Sequence, residues 1–521
     1  MKKIYMFVMA LTVFMGFSAC SDELDIQKLG NLGSEDDFYK TDGDAEAAIT
    51  NCYTDLTGMY DIVKGTDDLL SDDVWCGGGN RNDNAERENL GSYTFGSTNG
   101  NIQTMYESLY TLIYHANLVI EKFTGADDTP VKKRDIAEAY FFRGFAHFYL
   151  GAYFGTAPVV DAKLKPGEYA KENSTREQIY AQAASDFQQA VNSGNLSEKS
   201  TPTQHLVRIT KQAAQAYLGK TLVFAGKYQE AVAPLSEVIN SGKYALNTGA
   251  YENLLHEVND YDAERLLESN IVRDLDNLYF NLYALYHGFR SDYYDWKVPA
   301  GSDQNNAGYG FYNPTKNLYD AFVTEEGANG YRLNQTIKTE KQINAEGIYI
   351  ASGKVLHGHE GYWNWKQRLL QSEVFTGLAY FTSSNFVWMR YAEVLLLAAE
   401  ANLQSNNTAE ALKYINMVRS RAQLPALTSI TMDDVKTEKR LELWGEGTRW
   451  MDLVRWGDAA QKLADKGKQM PGFKGGAAGQ GQIVHEYDNV EGGFVAGKNE
   501  MLPIPDQEIK LNDNMKQNPK Y

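Results

Sequence analysis

The pattern of apolar and polar positions predicts helices over most of the chain. In many stretches apolar residues recur every three or four positions, the spacing that places them on one face of a helix. The clearest of these stretches are residues 46–56, 103–122, 136–150, 213–235, 392–401, 409–421 and 438–457. This repeated period predicts a mainly α-helical protein.

Two parts of the chain have the residue order typical of tetratricopeptide repeats. Residues 213–235 contain Leu-Gly, then Gly-x-Tyr, then Ala-x-x-x-Leu, and residues 392–421 form a second such pair. Small residues let two antiparallel helices approach closely, and Gly226 supplies the turn between the first two. We therefore expect tetratricopeptide-like helical pairs, an architecture that binds partners on extended surfaces.

The helical period fades between the two pairs. Gly, Asn, Tyr and Trp become frequent, residues 346–351 look extended, and Thr315 is suited to cap a helix that begins again near residue 316. This change predicts a loop-rich subdomain with short strands. The predicted units are a helical region (36–250), an aromatic, loop-rich insert (251–385) and a C-terminal helical region with an extended tail (386–521).

Charged residues are interleaved with tryptophans in residues 438–457. The charged members are Glu438, Arg440, Glu442, Glu446, Arg449, Asp452 and Arg455, and the tryptophans are Trp444, Trp450 and Trp456. Charges beside large apolar side chains must be paired to be tolerated, so we predict a partly buried polar network in which the tryptophans pack. The alternative is two ordinary amphipathic helices with solvated ion pairs.

The N-terminus has the features of an export signal. Lys2 and Lys3 precede an apolar run over residues 4–17, which is too short to span a membrane, so residues 1–19 are predicted to be a signal peptide. Cys20 directly follows Ser-Ala, the arrangement in which the thiol receives a diacylglycerol anchor. Residues 20–35 would then form a lipidated tether; the alternative is an ordinary signal with an incidental cysteine.

Charge and cysteine content exclude some classes of binding partner and of fold. The net charge of −18 is a poor match for nucleic acid, whose binding requires clusters of Lys and Arg. Beyond Cys20 the chain has only Cys52 and Cys76. These two residues allow either one disulfide or two buried free thiols, and they exclude a disulfide framework.

Three loops combine aromatic rings with short polar side chains. An exposed ring can cover the C–H face of a sugar, while amides, carboxylates and guanidinium groups bind its hydroxyls. The candidate ligand-binding residues are Trp75, Asn80, Arg81 and Asp83 in the first loop, Tyr294, Trp296, Tyr309 and Tyr312 in the second, and Trp363 in the third. The alternative for each ring is a core side chain beneath a long loop.

The sequence predicts no catalytic residue, no resident metal and no cofactor. It lacks H-E-x-x-H, G-x-S-x-G, a Walker loop and paired zinc-binding cysteines. His357 and His359 could hold a metal, but they more simply belong to a solvated loop. Clusters of Asp and Asn leave a structural calcium ion possible, and the plentiful carboxylates single out no glycosidase pair. His147 is expected to be a core or groove histidine.

Several stretches together resemble the SusD/RagB family, the surface nutrient-binding lipoproteins of the Bacteroidetes. The resemblance covers nearly the whole mature chain and implies tetratricopeptide-like pairs with a loop-rich subdomain. It also implies that Arg143 has a structural role. The matching stretches are F-x-x-T-x-x-D-A from residue 38, Arg143 with Y-F-G-x-x-P at 153–158, N-P-T-x-x-L-x-D-A-F at 313–322, M-R-Y-A-E-V-L-L-L from residue 389, E-x-R-L-E-L-x-x-E-G-x-R-W-x-D-L-x-R-W-G at 438–457, and L-P-I-P with Q-N-P-x-Y at the C-terminus.

The resemblance also implies a function. A member of this family is a non-enzymatic, lipid-anchored protein on the outer face of the outer membrane. It binds oligosaccharides and passes them to a TonB-dependent barrel of the SusC type. The alternative within the family is a RagB-type protein that binds oligopeptides; the aromatic loops favour glycans. A glycan-cleaving enzyme and a tetratricopeptide scaffold without a small ligand are the alternatives outside it.

Overall fold

The structure, a computed structural model, describes residues 39–125, 127–276, 278–375, 377–487 and 492–521. The predicted signal peptide, Cys20 and the lipidated tether lie outside the described residues. Among the helices of the described part, none has the length and apolar character needed to cross a membrane.

The first half of the described chain is built from helices. Thr41 and Thr175 each accept a hydrogen bond from a backbone N–H in the first turn of a helix. The backbone N–H groups of these two cap residues donate in turn to the side chains of Asp44 and Gln178. One short strand, β1 (Val74–Gly77), interrupts the series. The helices are α1 (Asp42–Gly58), α2 (Tyr60–Leu70), α3 (Ala85–Ser92), α4 (Gly100–Phe123), α5 (Pro130–Tyr153), α6 (Arg176–Asn192), α7 (Lys211–Phe224) and α8 (Tyr228–Asn240).

The insert contains short helices and paired strands. Its helices are α9 (Leu282–His287), α10 (Lys316–Glu326), α11 (Tyr331–Thr336) and α12 (Glu340–Ala345). Its strands are β2 (Arg265–Ser269), β3 (Tyr294–Trp296), β4 (Phe311–Pro314), β5 (Ile337–Thr339), β6 (Ile348–Ile350), β7 (Val355–His357), β8 (Tyr362–Asn364), β9 (Val374–Phe375) and β10 (Leu378–Thr382). The Thr315 hydroxyl accepts a hydrogen bond from Leu318 N at 3.1 Å, so the predicted cap of α10 is confirmed.

The C-terminal part returns to helices and ends in a tail. Its elements are β11 (Phe386–Arg390), α13 (Tyr391–Gln404), α14 (Thr408–Arg421), α15 (Met432–Leu443), α16 (Arg449–Trp456), α17 (Ala459–Lys462), β12 (Met470–Lys474), β13 (Gln482–Tyr487) and α18 (Asp506–Leu511). In the tail, the Asn518 side chain donates to Phe154 O and Leu502 O at 2.7 Å each. These bonds attach the tail to the end of α5.

Antiparallel strand pairs join the insert to its neighbours. β1 pairs with β4, β2 with β11, β3 with β6, β5 with β8 and β9 with β10, while β12 lies between β7 and β13. The β2–β11 and β7–β12 pairs connect segments on opposite sides of the boundary predicted near residue 385. The insert is therefore tied to the C-terminal region by backbone hydrogen bonds.

The predicted tetratricopeptide-like pairs are α7 with α8 and α13 with α14, and α8 packs against α13. Gly226 has φ of +70°, a conformation that favours glycine, and turns the chain between α7 and α8. A Cβ atom on Gly219 would lie 2.4 Å from Leu235 Cγ, so a glycine is needed for these two helices to pack this closely. The predicted mainly α-helical fold with such pairs is confirmed.

Arg143 has the predicted structural role. Its guanidinium group contacts the Asp186 carboxylate through Nε at 3.0 Å and Nη2 at 2.6 Å, and Nη1 donates to Asn117 Oδ1 at 2.8 Å. These bonds connect α5 to α6 and α4. His147, one turn later, is fully buried, its Nδ1 lies 2.9 Å from Arg143 O, and burial lowers its pKa to about 4. It is a core histidine.

The charged residues of 438–457 form a buried ion network. Glu446 contacts Arg390 Nη2 and Lys366 Nζ, each at 2.6 Å, and Glu442 contacts Arg332 Nη1 at 3.0 Å. Burial acts to raise the pKa of Glu442, but the surrounding arginines outweigh it and lower that pKa to about 2. The network is confirmed and is more completely buried than predicted.

Two of the three tryptophans of the same stretch, Trp444 and Trp450, pack in the core as predicted, and Trp456 is half-buried. Trp444 and Trp450 are 1% and 0% exposed, and Trp450 stacks on Tyr153 with ring centres 5.6 Å apart. The two cysteines left open by the sequence are free buried thiols. Burial raises the pKa of Cys76 to about 12, so this thiol stays protonated at neutral pH.

Candidate ligand-binding surface

The first two aromatic loops meet through a strand pair. In β1 and β4, Trp75 lies opposite Asn313, and Gly78 N donates to Gly310 O at 2.9 Å. Gly77 has φ of +79°, and a Cβ atom there would lie 2.5 Å from Gly310 O. A glycine is therefore required at the point where the two loops touch.

The tip of the first loop is held by an ion pair. The Asp83 carboxylate accepts hydrogen bonds from Arg290 Nη1 at 2.6 Å and from Gly79 N at 2.8 Å. The Tyr293 hydroxyl donates to Gly79 O. Asn80 and Arg81 lie between these anchors and are exposed. Two polar side chains are thus presented to solvent from a backbone that is fixed on both sides.

The third loop joins the same surface. Asn313 Nδ2 donates to Gly358 O at 3.1 Å, and Trp75 Nε1 donates to Glu360 Oε2 at 2.9 Å. Trp363 Nε1 donates to the Tyr294 hydroxyl at 2.8 Å. The three candidate loops, the first of which precedes the other two by more than 200 residues in sequence, therefore form one continuous surface.

Exposure divides the nine candidate residues into three groups. Those exposed are Asn80, Arg81 and Asp83; those half-buried are Trp75, Tyr294, Trp296 and Tyr309; those buried are Tyr312 and Trp363. Tyr312 is 1% and Trp363 is 4% exposed. Neither buried ring has a face open to a ligand, so the structure contradicts direct ligand contact by these two residues.

Tyr312 is a core side chain with an unusual backbone. Its φ of 57° is uncommon for a large residue. Its ring stacks on His287 with centres 4.7 Å apart, and its hydroxyl accepts a hydrogen bond from Arg87. Burial raises the pKa of Tyr312 well above its usual value. Tyr312 therefore packs on the buried side of the second loop.

Strand alternation explains why the other predicted rings are not fully exposed. In β3 and β6, Tyr294 and Trp296 lie opposite Ile350 and Ile348, and all four face the apolar cluster of the insert. Side chains alternate across a strand, so the residue between the two isoleucines points outward. That residue is Tyr349, which is 38% exposed.

The sequence prediction missed Tyr349 as a surface ring. The signal was present: Ile348 and Ile350 flank it in the segment predicted to be extended, so it belongs to the opposite face. Lys297 Nζ lies 5.3 Å from the centre of its ring. The ring is therefore accessible and has a cation beside it.

Trp75 is held from two sides. Its indole N–H donates a hydrogen bond to the Glu360 carboxylate, and Lys466 Nζ lies 4.6 Å from the ring centre. Burial lowers the pKa of Lys466 to about 8. The neighbouring acids Asp72 and Asp73 pair with Arg449 and Arg440, so they belong to the protein framework.

The two histidines near this surface do not form a solvated loop, and that prediction is wrong. His357 and His359 are each 2% exposed. His359 Nδ1 accepts a hydrogen bond from Gly361 N at 2.9 Å, and burial lowers the pKa of His359 to about 3. Within the described residues, no cluster of His, Cys, Asp and Glu side chains has the arrangement of a metal site.

Comparison with known proteins identifies the family. Residues 285–521 match the model described as SusD family, and residues 34–222 match the one described as starch-binding associating with outer membrane. SusD-like protein P2 of Formosa agariphila is 26% identical over 549 residues, which cover 99% of each chain.

Solved structures agree with this assignment. A laminarin binding SusD-like protein has a TM-score of 0.77 at 26% identity, and the match covers 93% of this chain and 100% of that one. Surface glycan-binding protein A from Bacteroides thetaiotaomicron, in complex with laminarihexaose, has a TM-score of 0.71 at 22% identity and shares the fold, with 92% and 100% of the chains covered. The chain belongs to the SusD/RagB family.

Proposed function

We propose that this protein binds oligosaccharides at the cell surface and delivers them to a SusC-like TonB-dependent transporter. The observation that carries the proposal is the single surface formed by the three loops. Its exposed residues are an amide, a guanidinium group and a carboxylate (Asn80, Arg81 and Asp83), and the accessible ring of Tyr349 lies on β6, the strand paired with β3 of the second loop. The similarity to a protein named for laminarin binding supports a glycan ligand.

The chemistry of the surface suits a hydroxylated ligand. A tyrosine or tryptophan face can cover the C–H bonds of a sugar ring, as Tyr349 and the accessible part of Trp75 would do. The Asp83 carboxylate and the Asn80 amide can bind the hydroxyls of the same sugar. Because the Arg290 ion pair already fixes Asp83, little conformational entropy would be lost on binding.

The proposal assigns binding and transport to this chain and no catalysis. The two proteins of known structure named above are described as binding proteins. Incubation of the purified chain with oligosaccharides should return them at unchanged length. Cleavage products that appear with the wild type would establish the enzyme alternative.

The membrane attachment is proposed to be lipid on Cys20, with the protein facing the cell exterior. The family description that mentions association with the outer membrane supports the location. Replacement of Cys20 with alanine should abolish palmitate labelling and release the protein from the membrane fraction. Proteolysis of intact cells tests the orientation, and recovery of a TonB-dependent barrel with the tagged wild-type protein tests the partner.

The binding proposal is tested with glycan arrays and peptide libraries on the chain that begins at Ser21. Trp75→Ala and Tyr349→Ala should each weaken binding of the captured glycan by about tenfold, the effect of removing one well-placed contact. Tyr169→Ala is the matched control. Tyr169 is 64% exposed in a segment that packs on the C-terminal tail.

Each result has a distinct consequence. Glycan binding that is weakened in the two loop variants and intact in the control supports the proposal. Binding of peptides alone would support the RagB-type alternative. A glycan affinity that all three variants retain would place the site elsewhere on the molecule.

A further inference from the structure

A cavity of about 60 Å³ is lined by residues of α2, α9 and the segment 367–387. Its wall is largely carbon and includes the stacked rings of Tyr60 and Phe386, whose centres are 4.5 Å apart. Ala284 and Leu369 also line it. These two belong to the small apolar cluster on which Tyr309 packs.

His287 contributes an unpartnered nitrogen to the cavity wall. Its Nδ1 lies 2.9 Å from Tyr283 O, so we infer that Nδ1 carries the proton and Nε2 has a free lone pair. The side chain is 7% exposed, and Nε2 has no hydrogen-bond partner among the described residues. Burial lowers the pKa of His287 to about 4, which keeps the ring neutral near pH 7.

Arg368 supplies a free donor to the same wall. Its terminal nitrogens donate to Trp365 O at 2.6 Å and to Glu252 Oε2 at 3.0 Å. Its Nε–H has no partner within the described part of the chain, although the side chain is only 6% exposed. A buried donor without a partner costs free energy, so a bound group that accepts this hydrogen bond is favoured.

His256 is the third such side chain. Its Nδ1 lies 3.0 Å from both oxygens of Glu373, and its Nε2 is buried without a partner among the described residues. Burial acts to raise the pKa of Glu373, but His256 lowers it below its usual value, so this carboxylate in the wall is ionised. An ionised carboxylate disfavours an anionic ligand.

The size and lining of the cavity point to a small neutral alcohol. A hydroxyl both donates and accepts, as the Arg368 and His287 nitrogens require. About four water molecules would fill this volume. Among the described residues, the unpartnered polar atoms of the wall are these three nitrogens and Ser384 Oγ, fewer than four waters would need, whereas the carbon atoms of an alcohol can lie against the apolar wall.

We propose that this cavity is a binding site for a neutral hydroxyl-bearing group of about four non-hydrogen atoms, such as a vicinal diol or the hydroxymethyl arm of a sugar. The wall of this site contains none of the exposed residues of the proposed three-loop surface. A free small polyol and the arm of a longer glycan offer the same chemistry, and competition between them can identify the source.

The test measures binding of ethylene glycol to the chain that begins at Ser21, by saturation-transfer NMR. Wild type should give saturable binding, and Ala284→Leu, which fills the cavity with a larger apolar side chain, should weaken it at least about tenfold. His287→Leu, which removes the acceptor at similar volume, should weaken it in the same direction. Circular dichroism establishes that each variant is folded.

Tyr169→Ala, at an exposed residue outside both the cavity wall and the three-loop surface, is the matched control and should leave ethylene glycol binding unchanged. Competition by laminarihexaose would identify the ligand as a sugar arm, and lack of competition a free polyol. No saturable binding, or binding equal in wild type and Ala284→Leu, would overturn the proposal and leave a water-filled cavity. Neither result bears on the three-loop surface.

Discussion

Charged side chains have different roles in two regions of this molecule. In the buried ion network, Glu442 and Glu446 are closed from solvent and each contacts several cations. On the three-loop surface, Arg81 is 41% exposed and meets Glu88 at 3.6 Å. The same residue types hold the helices to the insert in one region and remain available to a ligand in the other.

The difference follows from what surrounds each charge. In the network, Arg390 comes from the end of β11, Lys366 from the insert and Glu446 from the turn after α15, so three segments meet through their charges. A buried charge stripped of one partner is costly, whereas a solvated charge is nearly neutral to remove. The two regions should therefore respond differently to the same kind of substitution.

The largest effect is expected for Glu446→Ala. It would leave Arg390 and Lys366 buried without their shared carboxylate, and we expect a loss of about 3–5 kcal/mol in the free energy of unfolding. Chemical denaturation measures it. The control is Glu410→Ala, which removes an exposed partner of Lys413 and should change stability by less than about 0.5 kcal/mol. Equal effects of both variants would contradict the distinction.

The second prediction compares two tyrosines of the insert. Tyr312→Ala removes a fully buried ring together with its contact to Arg87, and we expect about 3–4 kcal/mol of destabilisation. Tyr349→Ala should cost less than about 0.5 kcal/mol because its ring is accessible. Thermal or chemical unfolding of the two variants is the measurement. A larger cost at Tyr349 would mean that its ring supports the fold.

The sequence predicted the helical regions well because their signals are local. The spacing of apolar residues in 213–235 and 392–421 is sufficient to predict two helical pairs, and Gly226 marks the turn between the first two. The alternation of charges and tryptophans in 438–457 likewise predicted the network. What it could not supply were the partners Lys366 and Arg332, which come from the insert and become neighbours only on folding.

The candidate surface was predicted less completely because exposure depends on distant segments. Aromatic residues among glycines leave both an exposed ring and a core side chain open, and Tyr312 is the latter, buried among Arg87 and His287. Trp363 is buried in the cluster formed around β3 and β6. Tyr349 could have been recognised from its two flanking isoleucines, whereas the burial of Tyr312 depends on α2 and α3, far away in sequence.

The third prediction concerns acid stability. Glu442 has a pKa of about 2 in the folded protein, below the usual value of 4.5, so its contribution to stability is complete above about pH 4.5 and is lost as the pH falls towards 2. We expect it to be on the order of 3 kcal/mol, since each pKa unit corresponds to about 1.4 kcal/mol. Unfolding free energies of wild type and Glu442→Gln, measured from pH 6 to pH 2, should converge in acid.

Only the difference between these two proteins isolates Glu442. Burial raises the pKa of Asp67 to about 7, and a raised carboxyl pKa has the opposite sign, since its contribution is lost as the pH rises. Asp67 is the same in both proteins, so its effect cancels in the comparison. A gap between the two curves that stays constant from pH 6 to pH 2 would show that Glu442 is not ionised in the native network.

The smallest effect on stability is expected at the tip of the first loop. Arg81→Ala removes one long, exposed ion pair with Glu88 and should change the free energy of unfolding by less than about 0.5 kcal/mol. Asn80→Ala removes an exposed amide and should have an equally small effect on the free energy of unfolding. Both should nevertheless weaken glycan binding several-fold, because a lost hydrogen bond to a ligand costs about 1 kcal/mol.

Weaker glycan binding without a loss of stability distinguishes a binding surface from a merely solvated one. Arg290→Ala is the informative third variant, since it releases Asp83 without removing either exposed side chain. If fixed geometry matters, Arg290→Ala should weaken glycan binding as much as Arg81→Ala does, although Arg290 itself need not touch the ligand. Calorimetric titration with the captured glycan gives the comparison. Wild-type affinity in all three variants would show that the loop tip is solvated surface and would shift the ligand towards Tyr349 and Trp75.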